Sequence, residues 1–260
     1  MNDMPASEPG EGAWRRRYSL LWPPVLAAIL ILAAWELSIW LFKLPNFVLP
    51  TPQEILVAAI QDRGQVLHDT WATLVESLVG YVAGSVLGLG IALLFVTFPR
   101  VERALLPAYV TINSVPMVAY GPLAIIWLGI GASSKITLII IAVSYSILIN
   151  ALAGLRSCDP GAISLLRTFG ASERTILLKL RLPTAMPAIF SGLRVAVVHA
   201  MILAVVLEML GAREGLGWTV FKSTQMMDFV AAWVAVGATV IVSLAIYSVV
   251  NWIGHKLVWW

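Results

Sequence analysis

Long apolar runs alternate with short polar stretches along most of the 260-residue chain. A helix needs roughly 20 residues to cross a hydrocarbon core about 30 Å thick. Six runs reach that length, and we predict transmembrane helices at residues 19–42, 71–98, 105–130, 136–155, 185–210 and 230–253. The pattern therefore predicts an all-α membrane protein with about six transmembrane helices in residues 19–260, preceded by a disordered segment, 1–18.

Two of these predicted helices carry small or helix-breaking residues. Glycines recur at every fourth residue from Gly80 to Gly88, which predicts a smooth stripe for close helix packing. Prolines inside the third helix remove backbone hydrogen bonds and predict a break or a kink. Asn113 and Tyr120 flank one of these prolines, with Met117 beside it. We predict that these three side chains line a solute path; the alternative is that the kink only shapes the bundle.

Composition and charge agree with a membrane protein. Hydrophobic residues make up 60% of the chain and charged residues only 12%, and the mean hydropathy is +0.88. Twelve of the 17 lysines and arginines fall on one side of the predicted topology, which places both termini in the cytoplasm because cytoplasmic flanks carry the basic excess. The same topology accounts for the net charge of +3 without nucleic acid as a partner. A single cysteine, Cys158, excludes an intramolecular disulfide.

Few charged residues lie within the predicted helices. Because an unpaired charge is costly there, we predict a structural hydrogen bond for Glu36, with a role in transport as the alternative. Glu208 lies near the outer end of the fifth helix, and His199 is interpreted as a hydrogen-bonded core residue. The sequence contains no nucleotide-binding loop, zinc-binding histidine pair, nucleophile elbow or paired carboxylates. We therefore predict no catalytic residue, no metal site and no bound cofactor.

The polar segment 159–183, between the fourth and fifth predicted helices, has the signals of a helical hairpin. Asp159 followed by Pro160 is typical of a helix start. Gly170 can adopt the positive φ that ends a helix, and Ser172 can cap a second helix that Pro183 helps to end. From its apolar faces and basic rim alone, the pair either rests on anionic lipid or fits into the groove of a partner.

The same segment resembles the EAA loop of the permeases of ABC importers. That loop reads Glu-Ala-Ala, three residues, Gly, nine residues, Ile, one residue, and then Leu-Pro. Here Gly170, Leu180, Leu182 and Pro183 match in register, with leucine in place of isoleucine. The resemblance implies that this hairpin is the helix pair that couples a permease to its ATPase.

The resemblance has one departure and extends well beyond the loop. Serine and two leucines, residues 164–166, stand where Glu-Ala-Ala is expected, so this chain lacks a carboxylate there. The stretches VLPTPQEIL, WLGIGASSKI, AGLRSCDP, SGLR and EMLGAREGLGW are similar to permeases of the sulfonate, nitrate and taurine branch. The residues implied in coupling are Ser164, Leu165, Leu166, Gly170, Ala171, Leu180, Leu182 and Pro183.

The family implies a fold and a set of partners. It implies a type I importer permease in the bacterial inner membrane, multi-pass and without its own ATPase site. The implied partners are two ABC ATPase subunits, an extracytoplasmic solute-binding protein, a second permease copy forming a homodimer, and membrane lipid. ATP and Mg are used by the partner ATPase, and this chain binds no cofactor.

Two further groups of residues follow from the resemblance. The solute path is expected to extend from Asn113, Met117 and Tyr120 to Tyr145 and Asn150. An outer gate or a docking site for the binding protein is expected in the loop after the fifth helix. Its residues are Glu208, Gly211, Gly215 and Gly217.

The resemblance implies a small anionic solute, such as a sulfonate, taurine or nitrate. Relatives in this branch also take up thiamine-precursor pyrimidines, riboflavin-like compounds and aromatic acids, and these stay as alternatives. A competing hypothesis is a channel or secondary carrier that needs no ATP, with the hairpin resting on lipid. A membrane enzyme is disfavoured because the sequence has no catalytic constellation.

Overall fold

The protein is a bundle of long helices joined by short turns. The computed structural model describes residues 11–45 and 48–257. Its helices are α1 (Glu11–Phe42), α2 (Pro52–Gln61), α3 (Arg63–Thr97), α4 (Pro99–Ser114), α5 (Gly121–Leu128), α6 (Ala132–Arg156), α7 (Pro160–Thr168), α8 (Glu173–Ile176), α9 (Leu182–Gly211), α10 (Leu216–Gln225) and α11 (Phe229–Leu257). A 3₁₀ turn at Met117–Tyr120 precedes α5, and a π-helical turn at Leu177–Arg181 joins α8 to α9.

The predicted membrane architecture is confirmed. Within the described residues, five helices are long and apolar enough to cross a membrane, and there are six crossings if one bent pair counts as a span. That pair is α4 with the helices of residues 117–128, which bend by 85° where the sequence predicted a break. The residue before Pro116, Val115, is extended with ψ of 132°, the conformation that a following proline imposes.

The N-terminal helix α1 is largely exposed and contacts the rest of the bundle at a few residues. Because α1 begins at Glu11, residues 11–18 of the predicted disordered segment are helical in the structure, and residues 1–10 lie outside the described part. No proline or glycine interrupts the helix between residues 13 and 22, which allows this earlier start. The Trp35 ring packs 4.8 Å from that of Trp233. Gln53 of α2 donates a hydrogen bond to Glu36, as the structural reading of this carboxylate predicted.

The core is formed where α3, α6 and α9 pack together. The predicted glycine stripe lies at the contact between α3 and α6. A Cβ atom on Gly84 would lie 2.8 Å from the Ile140 carbonyl oxygen, and one on Gly88 would collide with that of Ser144. The stripe therefore serves packing within this chain, and it brings the two helix backbones close enough to set the position of the rest of the bundle.

Candidate functional site

The hairpin at one end of the bundle forms through local backbone signals. The Asp159 carboxylate accepts hydrogen bonds from the N–H groups of Gly161 at 3.1 Å and Ala162 at 3.0 Å, capping α7. Gly170 has the predicted positive φ, 78°. Its N–H donates to the Arg167 carbonyl, and the next N–H donates to that of Leu166, which is the Schellman ending of a helix. The sharp turn therefore depends on glycine at this position.

The second half of the hairpin begins as predicted but does not end as predicted. Ser172 caps α8 by accepting the Thr175 N–H at 3.2 Å. The prediction that Pro183 helps to end this helix is wrong, because residues 173–211 form one continuous helical run. In the π-helical turn the Leu182 N–H donates to the Leu177 carbonyl, five residues back. This wider turn lies directly before Pro183 and accommodates the proline, which has no N–H and needs extra room behind it.

The hairpin turns apolar side chains outward. Phe169 is 78% exposed and Leu165 is 58% exposed, although both lie in a polar segment. Ile176, the last residue of α8, is in contrast fully buried. The eight predicted coupling residues divide along the hairpin. Five lie in the first helix or at the turn: Ser164, Leu165 and Gly170 are exposed, and Leu166 and Ala171 are half-buried. The other three, Leu180, Leu182 and Pro183, are half-buried at the root of the hairpin.

An ion pair that the sequence analysis missed closes the hairpin. Arg167 Nε lies 2.8 Å from a carboxylate oxygen of Glu173, joining α7 to α8 across the Gly170 turn. The two residues are six positions apart, so helical spacing does not reveal the pair. Beside it, a cavity of about 350 Å³ separates the end of α3 from the second helix, with Arg174 and Arg181 in its wall. The hairpin thus presents both an apolar tip and a basic flank.

The predicted path residues are only partly brought together. Met117 and Tyr120 line one cavity of about 240 Å³, whose other walls are mainly apolar. Asn113 donates to the Tyr109 carbonyl at 3.0 Å, and the Tyr145 ring lies 6.1 Å from the Tyr109 ring. These four residues therefore surround the junction of α4 and α6.

Asn150 lies elsewhere in the bundle. Its amide donates to the Ser146 carbonyl at 2.8 Å within α6. A Cβ atom on Gly192 of α9 would lie 2.7 Å from Cβ of Asn150, so the side chain sits in a tight contact between these helices. The structure does not group Asn150 with the other predicted path residues.

The glycine-rich turn between α9 and α10 is held by buried side chains. Glu208 is 0% exposed and accepts the Gly217 N–H at 2.6 Å. Gly215 has a φ of 108°, and a Cβ atom there would lie 2.5 Å from Cδ of Glu208. Gly211 is set apart, because its nearest neighbour is Ile125 of α5. Three of the four residues predicted in this loop therefore form one contact.

Two side chains of α3 also accept hydrogen bonds from this turn and from α10. Asp69 accepts the Gly215 N–H at 3.1 Å and the Thr219 hydroxyl at 2.6 Å. Thr73 accepts the Leu216 N–H at 2.9 Å. We call Asp69, Thr73 and Glu208 with residues 215–217 the anchored turn.

A buried ion pair lies beside the anchored turn, and the sequence analysis missed it. Lys135 Nζ is 2.5 Å from Glu76 Oε1, with both side chains 5% exposed. Glu76 Oε2 and Glu208 Oε1 are buried without a hydrogen-bond partner. The signal was present in the sequence, since Asp69, Thr73 and Glu76 recur at helical spacing inside an otherwise apolar run.

Comparisons with known proteins agree with this architecture. Residues 81–258 match the family model described as "Binding-protein-dependent transport system inner membrane component". The chain is 34% identical over 217 residues to the formylaminopyrimidine transport permease protein ThiX of Halalkalibacterium halodurans, covering 83% of this chain and 85% of the relative. It is 32% identical over 222 residues to the taurine transport system permease protein TauC of Escherichia coli, covering 82% and 80%.

A solved structure has the same fold. The inward-facing MetNI methionine ABC transporter superposes with a TM-score of 0.63 at 19% identity, covering 75% of this chain and 95% of that one. At this identity the likeness concerns the arrangement of the helices. It agrees with the helical bundle described above.

Proposed function

The chain belongs to the family of ABC importer permeases, the inner membrane components of binding-protein-dependent transport systems, and we propose that it imports a small anionic solute. Members of this family are permeases for small solutes and lack an ATPase site of their own. The partners we propose are a second copy of this chain, two cytosolic ABC ATPase subunits and an extracytoplasmic binding protein. ATP and Mg belong to the ATPase subunits.

The observation that carries the coupling role is the exposed tip of the hairpin. Phe169 and Leu165 are more than half exposed on a segment whose turn is set by Gly170 and bridged by the exposed Arg167–Glu173 ion pair. A rigid, apolar, solvent-exposed helix pair fits a groove in a partner, where burial of the side chains drives association. We propose that this partner is the ATPase.

The proposed mechanism follows from the continuity of the second helix. Residues 173–211 run from the hairpin through the bundle without a break. A movement of the hairpin by the ATPase is therefore transmitted to α9 and to the helices that pack on it. ATP binding closes the ATPase dimer, and the central path changes from inward-facing to outward-facing. Both termini and the hairpin lie in the cytoplasm in this proposal.

The opposite end of the bundle takes the role of the outer gate. The anchored turn ties α9, α10 and α3 together through Asp69 and Glu208. A binding protein that docks on this end meets a turn whose position is fixed to two spanning helices. We propose that the solute passes from it to the path near Met117 and Tyr120.

Two solute classes have support from relatives. TauC is a taurine transport permease and is 32% identical to this chain, which supports a sulfonate. ThiX is a formylaminopyrimidine transport permease at 34% identity, which supports a pyrimidine as the second candidate. The broader alternatives of riboflavin-like compounds and aromatic acids belong to the same transport machinery.

Uptake into membrane vesicles with and without internal ATP tests the function. We expect vesicles with the wild-type chain and its native partners to accumulate labelled taurine or formylaminopyrimidine only when ATP is present. Gly170→Arg is expected to abolish uptake, because an arginine does not tolerate the positive φ.

A matched glycine controls for the added arginine. A Cβ atom on Gly64 or on Gly170 meets nothing within 4 Å, but only Gly170 has a positive φ. Gly64→Arg is therefore expected to keep uptake at an equal amount of protein in the membrane. Normal uptake by Gly170→Arg would contradict the coupling role, and accumulation driven by an ion gradient without ATP would favour a secondary carrier.

A further inference from the structure

A groove between α9 and α11 has not been assigned a role. It has a volume of about 460 Å³ and is lined by Ser191, Arg194, Val195, Val198, His199 and Tyr247. His199 is exposed there, so the prediction that it is a hydrogen-bonded core residue is wrong. The five α9 residues recur at steps of one, three and four positions, so they share one face of the helix. The volume lies within the range of small-molecule sites, about 300–1,000 Å³.

The groove contains a cation toward the hairpin end of the bundle. The Arg194 guanidinium lies beside Gly254, three residues before the end of α11. Its Nε is buried without a hydrogen-bond partner. Among the lining residues there is no carboxylate. A guanidinium within a spanning helix faces water, protein or a ligand, because exposure to acyl chains is costly.

The bundle makes room for this guanidinium. A Cβ atom on Gly254 of α11 would lie 3.0 Å from Nη2 of Arg194 and 3.1 Å from the Phe190 ring. A larger residue at position 254 would push the arginine away from its present place. Gly254 is itself buried, so the arginine is seated between two spanning helices by packing.

The chemistry of the lining favours an anion. The guanidinium presents a planar fork of N–H donors that matches the oxygens of a carboxylate, sulfonate or phosphate. His199, Ser191 and Tyr247 add an imidazole and two hydroxyl groups that can donate hydrogen bonds. The cavity near Met117 and Tyr120, in contrast, has no charged residue in its lining. Of the two, only the α9–α11 groove has the groups needed to select a negative charge.

We propose that the groove between α9 and α11 binds the anionic oxygens of a ligand, with Arg194 as the principal contact. The same oxygens occur on a transported sulfonate and on the headgroup of an anionic lipid. The first source rests on the function proposed above, and the second does not. In both cases His199 and the two hydroxyls complete the site.

Binding to the purified full-length chain tests this proposal. The chain is purified in a neutral detergent, exchanged to remove lipid, and titrated in separate arms with ethanesulfonate and with phosphatidylglycerol. Arg194→Gln is expected to weaken binding at least tenfold in one of these arms. Arg63→Gln, which removes an exposed arginine at the start of α3, is the matched control and is expected to bind like the wild type.

Further variants keep the test independent of folding. Arg194→Lys keeps the charge but loses the planar fork, so we expect intermediate binding. Gly254→Ala places a methyl group 3.0 Å from Nη2 of Arg194 and shifts the guanidinium slightly, so we expect a smaller loss in the same arm as Arg194→Gln. Each variant is compared by gel filtration and by its thermal midpoint in the same detergent.

The arms distinguish the two sources and separate this proposal from the proposed function. A loss confined to ethanesulfonate supports a solute site, and a loss confined to phosphatidylglycerol supports a lipid headgroup site. If the folded Arg194 and Gly254 variants bind each ligand as strongly as the wild type does, the proposal is overturned. A failure of ATP-driven uptake in wild-type vesicles contradicts the importer function but leaves this binding result standing.

Discussion

Two turns of this protein each contain a glycine with positive φ, but the residues around these glycines differ. Gly170 turns the hairpin with a φ of 78°, and Gly215 turns the chain between α9 and α10 with a φ of 108°. A Cβ atom on Gly170 would meet nothing within 4 Å, whereas one on Gly215 would collide with Glu208. One glycine is required by the backbone alone, and the other by both backbone and packing.

The two turns also differ in how far the rest of the chain covers them. In the anchored turn, consecutive N–H groups of residues 215–217 all donate to side chains of α3 and α9. At the hairpin, Phe169 and Leu165 are largely exposed and extend away from the bundle. Side chains of the same chain satisfy the anchored turn, whereas the apolar tip of the hairpin stays exposed. In the proposed mechanism the hairpin receives force from the ATPase, and the anchored turn holds α3, α9 and α10 together.

The largest expected effect comes from the buried ion pair beside the anchored turn. Lys135→Met leaves Glu76 without its cation, next to Glu208, in a place from which water is excluded. Breaking a buried pair in this way costs about 3–5 kcal/mol in the free energy of unfolding. We expect a large drop in the thermal midpoint or a loss of monodisperse protein in detergent.

An exposed lysine provides the control for this change. Lys222 of α10 is exposed and forms no ion pair among the described residues, so Lys222→Met is expected to leave the thermal midpoint close to that of the wild type. Equal midpoints for Lys135→Met and Lys222→Met would mean that the ion pair does not hold this end of the bundle.

A matched pair of alanine variants compares the two turns directly. Gly170→Ala and Gly215→Ala both place a Cβ on a backbone with positive φ, which costs about 1–3 kcal/mol. Gly215, with φ of 108° and ψ of 161°, lies in a region that only glycine commonly adopts. Gly215→Ala adds a collision with Glu208, so its thermal midpoint is expected to fall clearly below that of Gly170→Ala. The opposite order would show that the hairpin turn is the more tightly constrained of the two.

The smallest expected effect concerns the exposed ion pair of the hairpin. Arg167→Gln removes the contact with Glu173, and both side chains are more than half exposed. Solvent and salt screen such pairs, so we expect a small decrease in the thermal midpoint that shrinks further as salt is raised. If the midpoint falls as far as it does for Lys135→Met, the exposed ion pair of the hairpin contributes as much to stability as the buried one, against our expectation.

The hairpin was largely predictable because its signals are local. Asp159, Gly170 and Ser172 each act on backbone groups within four residues, and the structure has all three in the predicted roles. Pro183 was read wrongly because a π-helical turn lets the helix continue, and that turn arises where the second helix joins the bundle. Local sequence signals predict where a helix begins and where a turn occurs. They do not predict whether tertiary packing lets a helix continue through a proline.

The anchored turn was only half predictable because its contacts are distant in sequence. Gly215, Gly217 and Glu208 were recognised as one group, but Asp69 is 146 residues from Gly215. Buried polar residues at helical spacing in α3 pointed to a partner without identifying it. The same holds for the path residues, since Asn150 shares a helix with Tyr145 but faces α9 instead.

Co-purification of an ABC ATPase tests most directly whether the exposed hairpin tip is the coupling surface. The tagged chain is extracted from its native membrane in mild detergent as wild type, Phe169→Ser and Met226→Ser, and the retained proteins are identified by mass spectrometry. Met226 is an equally apolar exposed residue, 68% exposed, at the turn after α10. We predict that wild type and Met226→Ser retain the ATPase in equal amounts and that Phe169→Ser loses it. Retention by Phe169→Ser at the wild-type level would contradict the account.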